Sequence, residues 1–197
     1  MSIPTYHRVF IAIPVNKDLH TYIHQTIKTL YPHSLGLRWN NEDTYHITLH
    51  YLGSISAPQC ELLKNKLASV ISKYSSFSLK LEISAGFPSN KPHSLAILIK
   101  LSFLLNSLHE ETKQIITACN ISLSSRPYFP HFTLAKIKSD VWNISPKRLP
   151  TPIKMSVQEI QLLQNISIEQ QTPQYHKLGV FNLSHHKAEN DSLVPSH

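Results

Sequence analysis

One tetrapeptide pattern is written twice in this chain, His46-Ile47-Thr48-Leu49 and His131-Phe132-Thr133-Leu134, each inside a segment whose polarity alternates residue by residue. In Tyr45-His46-Ile47-Thr48-Leu49-His50-Tyr51-Leu52-Gly53, the apolar Ile47 and Leu49 alternate with His46, Thr48 and His50, the period of a strand with one buried face. The segment Pro130-His131-Phe132-Thr133-Leu134-Ala135-Lys136-Ile137 repeats it, with Phe132 and Leu134 on the buried side and His131, Thr133 and Ala135 on the other. Each copy therefore sets a histidine and a threonine on one face, about 6.5–7 Å apart at a rise of about 3.3 Å per residue. That is the scale of a phosphate group. Two imidazoles and two hydroxyls in matched strands are the complement needed to hold a phosphodiester and to move protons on and off it.

The elements around the motifs fall into two similar halves. The first half reads as a strand over residues 8–14, then a helix over about 17–30 with Leu19, Ile23, Ile27 and Leu30 on one face, then the strand carrying His46. A second helix starts at the capping-box pattern Ser56-Ala57-Pro58-Gln59 and buries Cys60, Leu63, Leu67, Val70, Ile71 and Tyr74. Strands over 77–87 and 94–101 follow, parted by the turn-rich stretch 88–93. A third helix over about 103–120 buries Leu104, Leu108, Ile115, Ile116 and Cys119 and leads to the strand carrying His131. The Pro-rich stretch 145–152 reads as a loop, residues 155–166 and 175–183 as a closing pair of strands, and 184–197 as a disordered polar tail. This order predicts an α+β architecture of two packed lobes with antiparallel sheets, one bilobal domain over 1–183. A pseudo-twofold axis between the lobes would let His46 and His131 face each other across a cleft.

Composition narrows the class. With 197 residues and 41% apolar content the chain can bury its own core and fold alone, as a monomer. Its longest apolar runs, such as Leu95-Ala96-Ile97-Leu98-Ile99, are strand-sized, and the N-terminus lacks the basic and apolar regions of a signal peptide, so a cytoplasmic protein without membrane association is expected. Cys60 and Cys119 both fall on apolar helix stripes, which favours buried thiols over a disulfide or a metal site. A net charge of +7, from 19 Lys and Arg against 12 Asp and Glu, suits an anionic partner such as RNA, although the basic residues are scattered.

The flanking residues carry a resemblance. Arg8-Val9-Phe10-Ile11-Ala12-Ile13, Arg38-Trp39, Tyr51-Leu52-Gly53 after the first motif, Gly86-Phe87-Pro88, and Arg126-Pro127 leading into Pro130-His131 resemble the two-histidine phosphoesterase superfamily, in its RNA 2′,3′-cyclic phosphodiesterase branch, long described as 2′-5′ RNA ligases. The resemblance spans about residues 8–183. It implies a bilobal α+β fold and metal-independent, cofactor-free hydrolysis of a 2′,3′-cyclic phosphate at an RNA end, tRNA fragments among them, to a 2′-phosphate. It also implies a 2′-5′ ligase side activity. By the same resemblance His46 is the proton donor to the departing 3′ oxygen, His131 the proton acceptor that activates water, and Thr48 and Thr133 hold the non-bridging oxygens. The residues themselves allow the acid and base roles either way round.

The chain departs from the family pattern at Lys136, where an arginine is common, and at Phe129, where one is frequent. A lysine keeps the charge but loses the planar fork that grips phosphate. Lys136, Phe10, Trp39 and His50 are candidate substrate contacts, the aromatics for base stacking and His50 as part of the cleft rim. His20 and His24, four apart on a helix, read as a solvated face, because no H-E-x-x-H pattern or third ligand accompanies them. Two other readings stay open: a phosphodiesterase for 2′-5′ oligonucleotides or small cyclic nucleotides, and a non-catalytic RNA-binding module of the same fold.

Overall fold

A computed structural model of the chain describes residues 5–32, 36–138, 144–167 and 173–184. The elements run β1 Thr5–Pro14, α1 Lys17–Leu30, β2 Leu37–Trp39, a 3-10 turn Glu42–Thr44, β3 His46–Ser56, α2 Ala57–Ile71, β4 Phe77–Phe87, β5 Ser94–Ile99, α3 Phe103–Thr117, β6 His131–Ile137, β7 Lys147–Val157, β8 Glu159–Asn165 and β9 Tyr175–Asn182. They form two antiparallel sheets, ordered β3-β1-β8-β9 and β2-β6-β5-β4-β7. The α+β architecture expected from the alternation is the one observed. Each motif strand lies beside the strand that precedes it through a helix, β3 beside β1 across α1 and β6 beside β5 across α3. This repeated strand-helix-strand unit is the structural form of the twofold pattern.

The lobes are interlocked by their helices. Helix α1, which connects strands of the first sheet, packs on β7 of the second, while α3, which connects strands of the second, packs on β3 of the first. One apolar cluster consequently includes Ile11 and Ile47 from the first sheet, Ile97 and Phe132 from the second, and Ile23, Leu63 and Leu108 from the three helices. Helix α2 begins as its sequence dictates: the Ser56 hydroxyl accepts from the Gln59 amide, and the Gln59 side chain returns to the Ser56 N–H. Cys60 and Cys119 are free, buried thiols.

Three expectations are corrected. Residues 145–152 are not simply a loop, because β7 runs from Lys147 through both prolines. It is an edge strand paired with β4, and its pairing jumps from Arg148 opposite Ile83 to Ile153 opposite Leu81. Pro150 and Pro152 fall in that interruption, where no ladder N–H is required. Residues 155–166 are not one strand either, since the chain leaves the second sheet at Val157 and enters the first at Glu159. On α3 the buried leucine is Leu105, fully covered, whereas Leu104 is 48% exposed. The expected tail lies outside the described residues from 185 onward. Ser184 is tied down, its amide and hydroxyl both donating to the Tyr74 carbonyl. Among the described residues, no helix is long and apolar enough to cross a membrane.

Candidate active site

Each motif ends in the same backbone device. Along β3, Thr48 pairs with Ala12 and His50 with Ile11, so β3 spends two steps where β1 spends one, with Leu49 the extra residue. Along β6, Thr133 pairs with Ala96 and Ala135 with Leu95, so Leu134 is the extra residue at the corresponding place. A bulge after each threonine shifts the alternation by one. His50 and Ala135 therefore turn toward the core, and Tyr51 and Lys136 take the next place on the His/Thr faces.

The displacement overturns the assignment of His50 to the cleft rim. His50 is 7% exposed, and its Nε2–H donates to the His109 carbonyl and the Thr112 hydroxyl on α3, both at 3.0 Å. Its ring stacks on His109 at 4.3 Å, and His109 stacks on Tyr128 at 4.0 Å. Burial lowers the His50 pKa to about 4, so the ring is neutral at pH 7. Ala135, expected beside His131 and Thr133, is fully buried. Tyr51, in contrast, is 59% exposed on the face that carries His46 and Thr48.

The two motif histidines are held identically. His46 Nδ1 lies 2.7 Å from the Thr44 carbonyl oxygen, and His131 Nδ1 lies 2.7 Å from that of Phe129. A carbonyl only accepts, so in both rings Nδ1–H donates and Nε2 is left for chemistry. The motif strands lie against each other, with the Tyr45 and Phe132 rings, each one residue from its histidine, 5.8 Å apart. Burial lowers both histidine pKa values, and the charge of His131 lowers that of His46 further. Repulsion of this kind is mutual, so one proton on the pair resists a second.

Aromatic rings set the walls. Phe10 lies 5.0 Å from the His46 ring and Tyr175 5.2 Å from it, edge-on, while Phe87 lies 3.8 Å from the His131 ring. Phe10 is only 5% exposed, so it backs His46 and offers no face to a base. Trp39 also departs from its expected role. It pairs with Ala135 on the core side of the sheet, packs edge-on against His24 at 5.0 Å, and has the Lys28 ammonium 5.8 Å from its ring. His20 and His24 are likewise not a solvated face: His20 is buried against the Val15 carbonyl, and His24 meets the Tyr45 hydroxyl and Glu42. No group of three His, Cys, Asp or Glu among the described residues is placed to hold a metal ion.

Two cavities flank the pairs. One of about 530 Å³ beside His46 is lined by Lys17, Asp43, Gln161, Tyr175 and Lys177. The other, about 680 Å³ and largely apolar, is walled by Phe87, Leu98, Phe129, Pro88 and Ile144 next to His131. Alternation in the sequence did not reveal Phe87 and Tyr175 as walls of these cavities, nor Tyr51 as the next residue on the face of His46 and Thr48. Their places follow from the bulges and from pairings between distant strands.

Known proteins resemble the chain in sequence and in fold. A family profile described as LigT like Phosphoesterase matches residues 13–96. An RNA 2′,3′-cyclic phosphodiesterase of Bacillus subtilis (strain 168) is 29% identical over 181 residues, covering 89% of this chain and 96% of that protein. The chain is similar to the LigT-like phosphoesterases. A second relative of this family, the RNA 2′,3′-cyclic phosphodiesterase of Thermotoga maritima, is 25% identical over 139 residues, 68% of this chain and 73% of the relative. The LigT-like fold of the chain is shared with E. coli LigT crystallised with 3′-AMP, at a TM-score of 0.71 and 21% identity over 90% of this chain and 98% of that one. It is shared also with a Thermus thermophilus protein, at a TM-score of 0.73 and 21% identity over 91% and 99% of the two chains.

Proposed function

We propose that this phosphoesterase opens the 2′,3′-cyclic phosphate at an RNA end to a 2′-phosphate, with His46 and His131 as its acid and base. The observation that carries the reading is the matched pair: each histidine is anchored through Nδ1 to the carbonyl two residues before it and has a threonine two residues after it on the same strand face. The names of the relatives supply the substrate class.

The proton balance follows from the electrostatics. Both imidazoles lean toward the neutral form in the free protein. An anionic phosphodiester between them favours one imidazolium, and mutual repulsion refuses the second, so the bound pair holds one proton. Water attacks phosphorus and gives a proton to Nε2 of His131. The P–O3′ bond breaks on the opposite side, and Nε2–H of His46 protonates the departing oxygen. The Thr48 and Thr133 hydroxyls donate to the non-bridging oxygens, whose charge grows in the transition state. Acid and base are both supplied by side chains, and no step calls for a metal.

The test is an oligonucleotide ending in a 2′,3′-cyclic phosphate, incubated with EDTA-treated protein. A product of unchanged length bearing a 2′-phosphate is expected. A 3′-phosphate, a shortened chain, or activity only after a divalent cation is restored would contradict the reading.

A further inference from the structure

The short segment between β2 and β3 touches both motifs. β2 ends at Trp39, opposite Ala135 of β6. The next residue, Asn40, donates twice to β6: its backbone N–H to the Leu134 carbonyl at 2.9 Å, and its side-chain amide to the Thr133 carbonyl at 3.2 Å. A carbonyl only accepts, so the amide nitrogen is the end that faces β6. A regular strand turns successive carbonyls to opposite edges, whereas here two in a row are taken up by one residue. They belong to the bulge, of which Leu134 is the extra residue.

Beyond Asn40 the chain makes one tight turn and reaches the first motif. The Asn41 side chain accepts from the Asp43 N–H and the Asn41 carbonyl from the Thr44 N–H, which closes the turn Glu42–Thr44. The Thr44 carbonyl then anchors Nδ1 of His46. The backbone that orients His46 is therefore fastened, at its other end, to the carbonyl of Thr133. The Tyr45 and Phe132 rings also join the motifs, 5.8 Å apart, but apolar contact is non-directional and tolerates sliding. Hydrogen bonds of fixed length and angle do not.

We infer that Asn40 is a positioning residue: its side-chain amide holds the β6 bulge, and with it the Thr133 hydroxyl, at the spacing from His46 that a phosphate between the motifs requires. The inference rests on the reading of the two histidines and two threonines given above. Asparagine suits the place chemically, since aspartate has no donor to offer a carbonyl and glutamine carries its amide one methylene further out. Because Asn40 grips the second motif, its effect on the reaction passes through Thr133 and not through Thr48.

The test is a double-mutant cycle on kcat for an oligonucleotide ending in a 2′,3′-cyclic phosphate, each value taken per folded protein as read by urea unfolding. Asn40→Ala is expected to lower kcat about tenfold with KM little changed. In the Thr133→Val background, where no hydroxyl is left to position, the same substitution should cost less than about twofold, whereas in the Thr48→Val background the full loss should remain. Asn40→Asp, of the same size but without the donor, should repeat this pattern and serves where Asn40→Ala folds poorly. An unchanged kcat, a loss as large with Thr133→Val as without it, or a loss traced wholly to unfolded protein in both variants overturns the positioning role and leaves the chemistry intact. Absence of turnover by the wild type overturns the reading of the histidines, and the inference with it.

Discussion

His50 should make the protein sensitive to acid by an amount that can be worked out. Its pKa is lowered from 6.5 to about 4 because the ring is buried between β3 and α3, with the hydrogen bond to the His109 carbonyl only partly offsetting the desolvation. In the unfolded chain the same ring takes up its proton near pH 6.5. Between the two values the unfolded state binds more protons than the folded one, so stability is full above about pH 6.5 and is lost as the pH falls toward 4. Integrating over that window gives a loss of about 2.5 kcal/mol between pH 7.5 and pH 4.5 from His50 alone. His24, His46, His109 and His131, whose pKa values are also lowered, act in the same direction and steepen the wild-type curve. The His50 share is isolated with His50→Gln, which keeps a donor for α3 but cannot titrate. Urea unfolding of both proteins across this pH range should show the variant weaker by a roughly constant amount near pH 7.5 and the two curves converging or crossing toward pH 4.5. Parallel curves, with slopes alike within about 0.5 kcal/mol over the range, would refute the argument that His50 is held neutral by the fold.

Other outcomes follow from the site and the core. His46→Ala and His131→Ala should each lower turnover on a cyclic phosphate by about 10²–10⁴-fold, measured by product formation under saturating substrate, with thermal unfolding showing the variants still folded. Thr48→Val and Thr133→Val, which remove donors while conserving shape, should each cost on the order of 10²-fold in kcat. Leu105→Ala should destabilise by about 2–5 kcal/mol in urea unfolding, because the side chain is fully buried, whereas the neighbouring Leu104→Ala should stay within about 0.5 kcal/mol.

What the sequence reveals is what short-range periodicity and capping chemistry can encode. The motif strands, the span of α1 and the Ser56 capping box are local, and all are found where the pattern puts them. The bulges are not local. Leu49 and Leu134 fit strict alternation as well as they fit a bulge, and only the partner strand shows the extra residue. That single step moved His50 into the core and brought Tyr51 and Lys136 onto the working faces. The prolines of β7 conceal an edge strand for a related reason, since a ladder interruption opposite Glu82 absorbs them. In α3, adjacent Leu104 and Leu105 fit the helical period almost equally well, and packing against β3 and α2 decides between them. Trp39 and His24 of α1 meet only because a helix of one lobe covers the sheet of the other.

The claim at the centre is that two identically anchored imidazoles divide the proton work, and the pH dependence of kcat/KM on a 2′,3′-cyclic phosphate end tests it most directly. The wild type should give a bell. The residual activity of His131→Gln should lose the fall on the acid side, where the base must be neutral, and that of His46→Gln the fall on the alkaline side, where the acid must be protonated. A variant that keeps both limbs of the bell would contradict the division of labour, and an exchange of the two limbs would reverse the roles of His46 and His131.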